Sequence, residues 1–200
     1  MKHLKDIIVE SFFDYEIDSS KFTKTIEKEI KQFLKDNYKG RYSISKNPDT
    51  DGKYVVDSKG NIEIKNKNIT NLTNGCFVWG KVDGKFDCSY CGSLTSLEGA
   101  PEKVGGDFVC YWCTSLTSLK GAPEKVGGKF DCCDCVSLTS LEGIPEEIDW
   151  DFICRECKSL TSLKGAPEKV DGYFICYDCG VKFTKDDVRK VAIVKKEIIC

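Results

Sequence analysis

Apolar residues recur through residues 85–179 with a fixed period of 22, and the positions between them are mostly polar. Each period begins with a phenylalanine, after which cysteines, leucines, a proline and a valine or isoleucine follow at constant spacings. The columns are Phe86/Phe108/Phe130/Phe152/Phe174, Cys88/Cys110/Cys132/Cys154/Cys176, Cys91/Cys113/Cys135/Cys157/Cys179, Leu94/Leu116/Leu138/Leu160, Leu97/Leu119/Leu141/Leu163, Pro101/Pro123/Pro145/Pro167 and Val82/Val104/Val126/Ile148/Val170. A period of about 20–25 residues is typical of a solenoid, because one coil cannot bury its apolar face alone. The pattern predicts stacked coils that share one core.

Each period predicts one short strand, a bend and a return segment. In the coil that begins at Phe108, alternation directs Phe108 and Cys110 inward and Val109 outward. Gly105-Gly106 is interpreted as a conformationally free link into the strand, because glycine adopts backbone angles closed to other residues. We expect about seven such strands in one parallel sheet, with a mostly irregular convex side.

The repeat resembles the leucine-rich repeat in its short, cysteine-containing form, L-x-L-x-x-C-x-x-L. The matching residues of one coil are Phe108-Val109-Cys110-Tyr111-Trp112-Cys113-Thr114-Ser115-Leu116. The second half of the coil is similar to the repeats of about 20–22 residues in bacterial and phage proteins. The chain departs from the commonest form by using Phe and Cys where Leu dominates, and it leaves no room for a convex helix. The resemblance implies a right-handed α/β solenoid with helical caps at both ends, acting as a curved recognition scaffold without catalytic apparatus.

Apolar residues at helical spacing predict a short helix over residues 1–13 and a longer helix over residues 20–38, which Gly40 would end. Two β-prone runs, 41–45 and 53–57, flank a turn-rich stretch and indicate a hairpin. We expect these elements to cap the solenoid, because a terminal coil would otherwise expose apolar core and unpaired strand edges.

The chain divides into three predicted segments. Residues 1–60 form the N-terminal cap of helices and hairpin, residues 61–180 form the solenoid with a degenerate first coil, and residues 181–200 form a C-terminal cap helix and a final strand. Thr184 is placed to begin that helix in a capping box, with Asp187 in place of the usual glutamate.

The chain contains thirteen cysteines. An odd count without a signal-peptide pattern argues against an extracellular disulfide framework. The repeated Cys-x-x-Cys pairs have zinc-ribbon spacing, so a zinc-binding protein is one alternative. We favour packing without a cofactor, because both columns share the period of the other core residues and because we expect extended chain to separate the paired cysteines by about 9–10 Å. Cys133 replaces an outward residue and is the expected reactive thiol.

The chain carries 30 basic and 32 acidic residues, for a net charge of −2. This balance favours neither nucleic acid nor an anionic membrane as a partner. No apolar run approaches the roughly 18 residues that a membrane span requires. We expect the cytoplasm of a bacterial or phage-infected cell as the location, because the N-terminus lacks a signal-peptide pattern.

The first residues resemble the leader of internal head proteins of tailed phages. Those leaders begin Met-Lys and are cut after Glu in an Ile/Leu-x-Glu context, which here is Ile8-Val9-Glu10. The resemblance implies cleavage after Glu10 and a location in the virion. A virion-associated protein is therefore the second alternative.

The outward strand face is expected to bind a protein partner, because outward positions of a solenoid form a continuous surface. These positions and the two that follow them differ from coil to coil, and several carry aromatic or arginine side chains, which anchor protein interfaces. The candidate binding residues are Tyr90, Val109, Tyr111, Trp112, Ile153, Arg155, Ile175 and Tyr177. No phosphate loop or nucleophile motif indicates an enzyme. The partner's identity and the oligomeric state are open.

Overall fold

The structure is a computed structural model that describes residues 19–46 and 53–200. It is a β-solenoid of about seven turns with few helices. The elements are α1 (Ser19–Asn37), β1 (Tyr38–Gly40), β2 (Ser43–Lys46), β3 (Tyr54–Ser58), β4 (Ile62–Ile64), β5 (Phe77–Val82), β6 (Phe86–Asp87), β7 (Lys103–Val104), β8 (Phe108–Val109), β9 (Lys125–Val126), β10 (Phe130–Asp131), β11 (Glu147–Ile148), β12 (Phe152–Ile153), β13 (Lys169–Val170), β14 (Phe174–Ile175), α2 (Lys185–Arg189), β15 (Ile193–Val194) and β16 (Ile198–Ile199).

The predicted parallel sheet is present. Strands β4, β6, β8, β10, β12, β14 and β16 pair in parallel and in register, so that each phenylalanine lies beside the next, as Phe108 lies beside Phe130. This confirms both the period and the first coil at Ile62. An eighth strand, β1, was not predicted; it pairs antiparallel with β4.

Each return segment of the 22-residue coils contains a two-residue parallel strand that was not predicted, while its other residues lie in turns and irregular backbone. Strands β2, β3, β5, β7 and β9 form one sheet, and β11, β13 and β15 form another. The sequence pattern identified the buried valine of each return strand but not the strand itself. A two-residue strand such as β7 has no local signature, because its hydrogen bonds come from the neighbouring coils.

The core consists of columns in which like side chains stack. All five repeat phenylalanines are fully buried. Their ring centroids lie between 5.0 and 6.0 Å from those of the next coil. The leucine and valine columns line the same interior. Burying a side chain of this size stabilises the fold by about 1.5–3 kcal/mol, so the columns supply the main driving force for stacking.

The chain turns sharply between the two cysteines of each coil, which corrects the expectation of extended backbone there. The residue before the second cysteine has a left-handed φ of 55 to 63° in every coil. The second cysteine consequently returns to the core, and its thiol donates to the carbonyl oxygen of the first cysteine of the preceding coil. These S–H···O bonds join Cys113 to Cys88 (3.1 Å), Cys135 to Cys110 (3.2 Å), Cys157 to Cys132 (3.3 Å) and Cys179 to Cys154 (3.2 Å).

At the N-terminal side the predicted long helix and hairpin are present. Helix α1 ends at Asn37, whose side-chain amide donates to the Phe33 carbonyl, so Gly40 does not end the helix but lies in β1. Ile30 and Leu34 are fully buried in the solenoid core. Neither described helix is long and apolar enough to cross a membrane. The predicted helix over residues 1–13 lies outside the described residues.

At the C-terminal side the predicted capping box of α2 is present. Thr184 accepts from the Asp187 N–H, and the Asp187 carboxylate accepts from the Thr184 N–H. Val188 is buried, and the following β16 pairs in parallel with β14 as the final strand. The Val191 side chain, just after this helix, is exposed.

Glycines allow the coils to approach each other closely. The linking pair Gly105-Gly106 does not adopt left-handed angles, contrary to the sequence interpretation; a Cβ on Gly105 would instead lie 2.4 Å from the Asp83 carbonyl oxygen of the preceding coil. Gly121, in the following return segment, does adopt a left-handed conformation, with φ +87°. A Cβ on Gly121 would lie 2.6 Å from the Glu98 backbone nitrogen. Backbone packing between coils therefore excludes a side chain at both positions.

Gly121→Ala is expected to lower the free energy of unfolding more than Gly75→Ala. Both glycines are left-handed, but a Cβ on Gly75 would have nothing within 4 Å. Gly75→Ala should cost about 1–2 kcal/mol from backbone strain alone, and Gly121→Ala should cost about 1–3 kcal/mol more from the clash with the preceding coil. Urea unfolding followed by circular dichroism measures both. Equal losses would contradict the close approach of the coils.

The thiols are expected to divide into two classes in the folded, reduced protein. Ten of the thirteen cysteines are buried, and only Cys76, Cys179 and Cys200 are half-buried. Reaction with a chromogenic disulfide reagent should therefore modify at most these three thiols rapidly, with the remainder reacting only on unfolding. Mass spectrometry after alkylation identifies the sites. Rapid modification of the ten buried cysteines, or release of one zinc ion per protein during modification, would contradict the packing role.

Candidate functional site

A column of left-handed residues runs along the outer surface beside the eight-stranded sheet. It consists of Tyr90, Trp112, Asp134, Glu156 and Asp178, one from each coil. Aspartate is among the residues that tolerate this conformation, whereas a bulky aromatic residue there is an outlier. The left-handed conformation costs about 1–2 kcal/mol for a residue with a Cβ. Tyr90 and Trp112 are therefore the two positions where side chain and backbone preference conflict most.

Three aromatic rings form a cluster at the start of this column. Tyr90 and Tyr111 meet edge to face with ring centroids 5.2 Å apart, and Trp112 lies 5.6 Å from Tyr90 and 6.0 Å from Tyr111. Tyr90 is 52% exposed and Trp112 is 47% exposed, while Tyr111 is half-buried. We call these three residues the aromatic triad. Such rings contact each other favourably yet leave large apolar faces to solvent.

The other five predicted binding residues do not join the triad. Arg155 lies over the Tyr177 ring, with its guanidinium carbon 5.7 Å from the centroid. Ile153 and Ile175 are half-buried neighbours in adjacent strands. Val109 is only 6% exposed, so it lies beneath the surface rather than forming an accessible floor.

Carboxylates on the strand face support the turns. Asp87 accepts from the Ser89 N–H and pairs with Lys85 at 2.7 Å. Burial acts against ionisation of Asp87, but the hydrogen bonds from Lys85 and Ser89 outweigh it and lower the pKa of Asp87. Asp131 repeats the arrangement, with Lys129 at 3.1 Å and the Cys133 N–H as donor. These two carboxylates are already engaged, so they are positioned to hold the turns rather than to bind a partner.

Asp134 was not among the predicted binding residues, and it follows Trp112 in the left-handed column. Its N–H donates to the Arg155 carbonyl at 3.1 Å, which continues the ladder through the turn, and its side chain is half-buried. No ion pair within residues 19–46 and 53–200 engages its carboxylate. Burial raises the pKa of Tyr111, the neighbouring Tyr90 and Asp134 raise it further, and the positive charge of Arg155 partly opposes them. Asp134 occupies the same position of the repeat as Trp112, and this equivalence is the sequence signal that could have identified it as a candidate.

The outward strand face carries no reactive thiol among the described residues. Cys133, the expected reactive thiol, is only 3% exposed, and burial together with the Asp131 carboxylate raises its pKa. Cys133 is thus a poor nucleophile, contrary to expectation. Among the described residues, no three Cys, His, Asp or Glu side chains converge where a metal ion could bind.

A second surface feature was missed by the sequence reasoning. An open cleft of about 890 Å³ lies where the return-strand sheets are interrupted between β9 and β11. Lys103 and Lys125 line it from the earlier coils, and Glu147 and Asp149 line it from the later coil. The interruption coincides with the replacement of a glycine pair by Asp149 and Trp150. Because both positively and negatively charged side chains line the cleft, it does not favour one class of ligand.

Comparison of the chain with protein-family models, with curated proteins and with solved structures finds no match in any of the three.

Proposed function

We propose that the protein is a non-enzymatic protein-interaction scaffold that binds its partner through the outward strand face, with the aromatic triad as the anchor. The observation that carries the proposal is the pair of half-exposed aromatic side chains, Tyr90 and Trp112, on left-handed backbone. Strained conformations of this kind persist where the surrounding structure holds them, and they cluster at functional sites.

Residue type and position favour the same role. Tyrosine, tryptophan and arginine are the residues most enriched among energetic anchors of protein interfaces. The tyrosine and tryptophan rings lose little conformational entropy on binding, because two torsions fix each of these side chains. The triad is also pre-organised by its own ring contacts, which reduces the cost of ordering it against a partner.

The finer architecture we propose is that of a leucine-rich-repeat-like solenoid with α1 and α2 closing its ends. The 22-residue period, the Phe-x-Cys strand and the leucine columns support the leucine-rich-repeat classification. The buried Ile30 and Leu34 of α1 and the buried Val188 of α2 support the role of the two helices as caps.

The double variant Tyr111→Ala/Trp112→Ala tests the proposal. Used as bait in affinity capture from lysate of the cells that produce the protein, it should lose a partner that the unmodified chain retains. The loss expected for two anchor residues is at least about thirtyfold in affinity. Stability should change by less than about 1 kcal/mol, because the side chains lie on the surface.

Trp150→Ala is the matched control, because Trp150 is 58% exposed but lies outside the strand face. The control should retain the partner at the level of the unmodified chain. If the double variant retains it equally well, the strand face is not the binding surface. Equal loss in both variants would indicate general stickiness of exposed tryptophan and would also defeat the proposal.

A further inference from the structure

The aromatic triad differs from the other aromatic surfaces of the coils in having no cation stacked on its rings. Arg155 covers the Tyr177 ring, and Lys196 lies 5.7 Å from the Trp150 centroid and 5.1 Å from that of Tyr173. No lysine or arginine of the described part stacks on a ring of the triad, although the positive charge of Arg155 reaches Tyr111 and opposes the rise in its pKa. A cation within about 6 Å of an aromatic face is attracted to the ring, most strongly to that of tryptophan. The triad therefore presents an unoccupied surface of the kind that the chain elsewhere fills itself.

A carboxylate lies beside this unoccupied surface. The N–H groups of Tyr90, Trp112 and Asp134 donate to Tyr111, Cys133 and Arg155 respectively, so the left-handed column continues the strand ladder. Trp112 and Asp134 are therefore adjacent at about the strand spacing of 4.8 Å. In the next coil the Glu156 carboxylate is already paired with Lys158 at 2.7 Å. The Asp134 carboxylate attracts Arg155 and helps to raise the pKa of that guanidinium, but it forms no close ion pair within residues 19–46 and 53–200, so a partner's cation can pair with it directly.

We infer that the partner inserts an arginine side chain here, with its guanidinium stacked on the rings of Trp112 and Tyr90 and paired with the Asp134 carboxylate. This inference deepens the proposed function and rests on it. A guanidinium is planar and presents several donors, so it can stack on a ring and hydrogen-bond to a carboxylate at the same time. An ammonium is compact and more strongly hydrated, and it would satisfy the two groups less well.

The test is a nuclear magnetic resonance titration of the full chain with N-acetyl-arginine methylamide, observed at the indole N–H signals. The matched probe is N-acetyl-citrulline methylamide, which has nearly the same shape without the charge. The Trp112 signal should shift with saturation on adding the arginine probe, and the citrulline probe should bind at least about fivefold more weakly. The Trp150 signal should not shift, since Lys196 already covers that ring.

Two variants test whether the Asp134 carboxylate takes part in binding the arginine probe. Asp134→Asn should weaken the arginine probe at least about fivefold, because the ion pair is lost. Asparagine also tolerates a left-handed backbone, so this variant should fold. Asp178→Asn, at the equivalent position two coils away, should leave the affinity unchanged. An unshifted Trp112 signal, or equal affinities for arginine and citrulline, would overturn the inference.

The outcome is separable from that of the proposed function. If the triad variant loses the captured partner while the arginine probe does not bind Trp112, the strand face is an interface of different chemistry and the arginine inference alone fails. If the triad variant keeps the partner, the proposed function fails, and with it the inference that rests on it.

Discussion

Successive coils lie in register at the spacing of one β-strand, about 4.8 Å, and this constraint determines which side chains the interior accepts. Each inward residue meets its own equivalent on both sides, so a column works only if its side chain stacks on itself. Phenylalanine does so, with centroid separations of 5.0 to 6.0 Å. A charged residue would face its own charge at the same distance, and like charges directly opposite each other in a sheet are destabilising. The variation between coils is consequently confined to the surface.

The cysteine columns are explained by the same constraint together with the left-handed turn. The carbonyl of a first-column cysteine such as Cys110 accepts from the thiol of Cys135 in the next coil. A buried carbonyl without a donor costs about 1–3 kcal/mol. At the donor position, that of Cys135, alanine would pack but could not donate a hydrogen bond. Serine would donate one but would bring a more polar group into a dry core. Cysteine is small and apolar and still has a weak S–H donor.

The parts of the fold that could be predicted from sequence are those in which a side chain itself carries the information. The phenylalanine column, the hairpin and the Thr184 capping box are of this kind, and all are present. The two-residue return strands and the turn at Trp112 were missed, because both depend on backbone contacts between coils that leave no mark on residue type. Asp134 was missed because the candidate residues were chosen for apolar, aromatic or cationic side chains, and a carboxylate has none of these characters.

In the left-handed column, the backbone stabilises the fold and the side chains determine the surface, and the two roles are independent. Its backbone hydrogen bonds, such as that from the Trp112 N–H to the Cys133 carbonyl at 2.9 Å, do not involve the side chain. Glycine at this position would therefore preserve the ladder and relieve about 1–2 kcal/mol of strain. The ring contacts of Trp112 with Tyr90 and Tyr111 offset part of this strain, yet 47% of the side chain remains exposed. The same turn that returns Cys113 to the core projects Trp112 outward, so the interior ladder and the presented ring are two consequences of one backbone conformation.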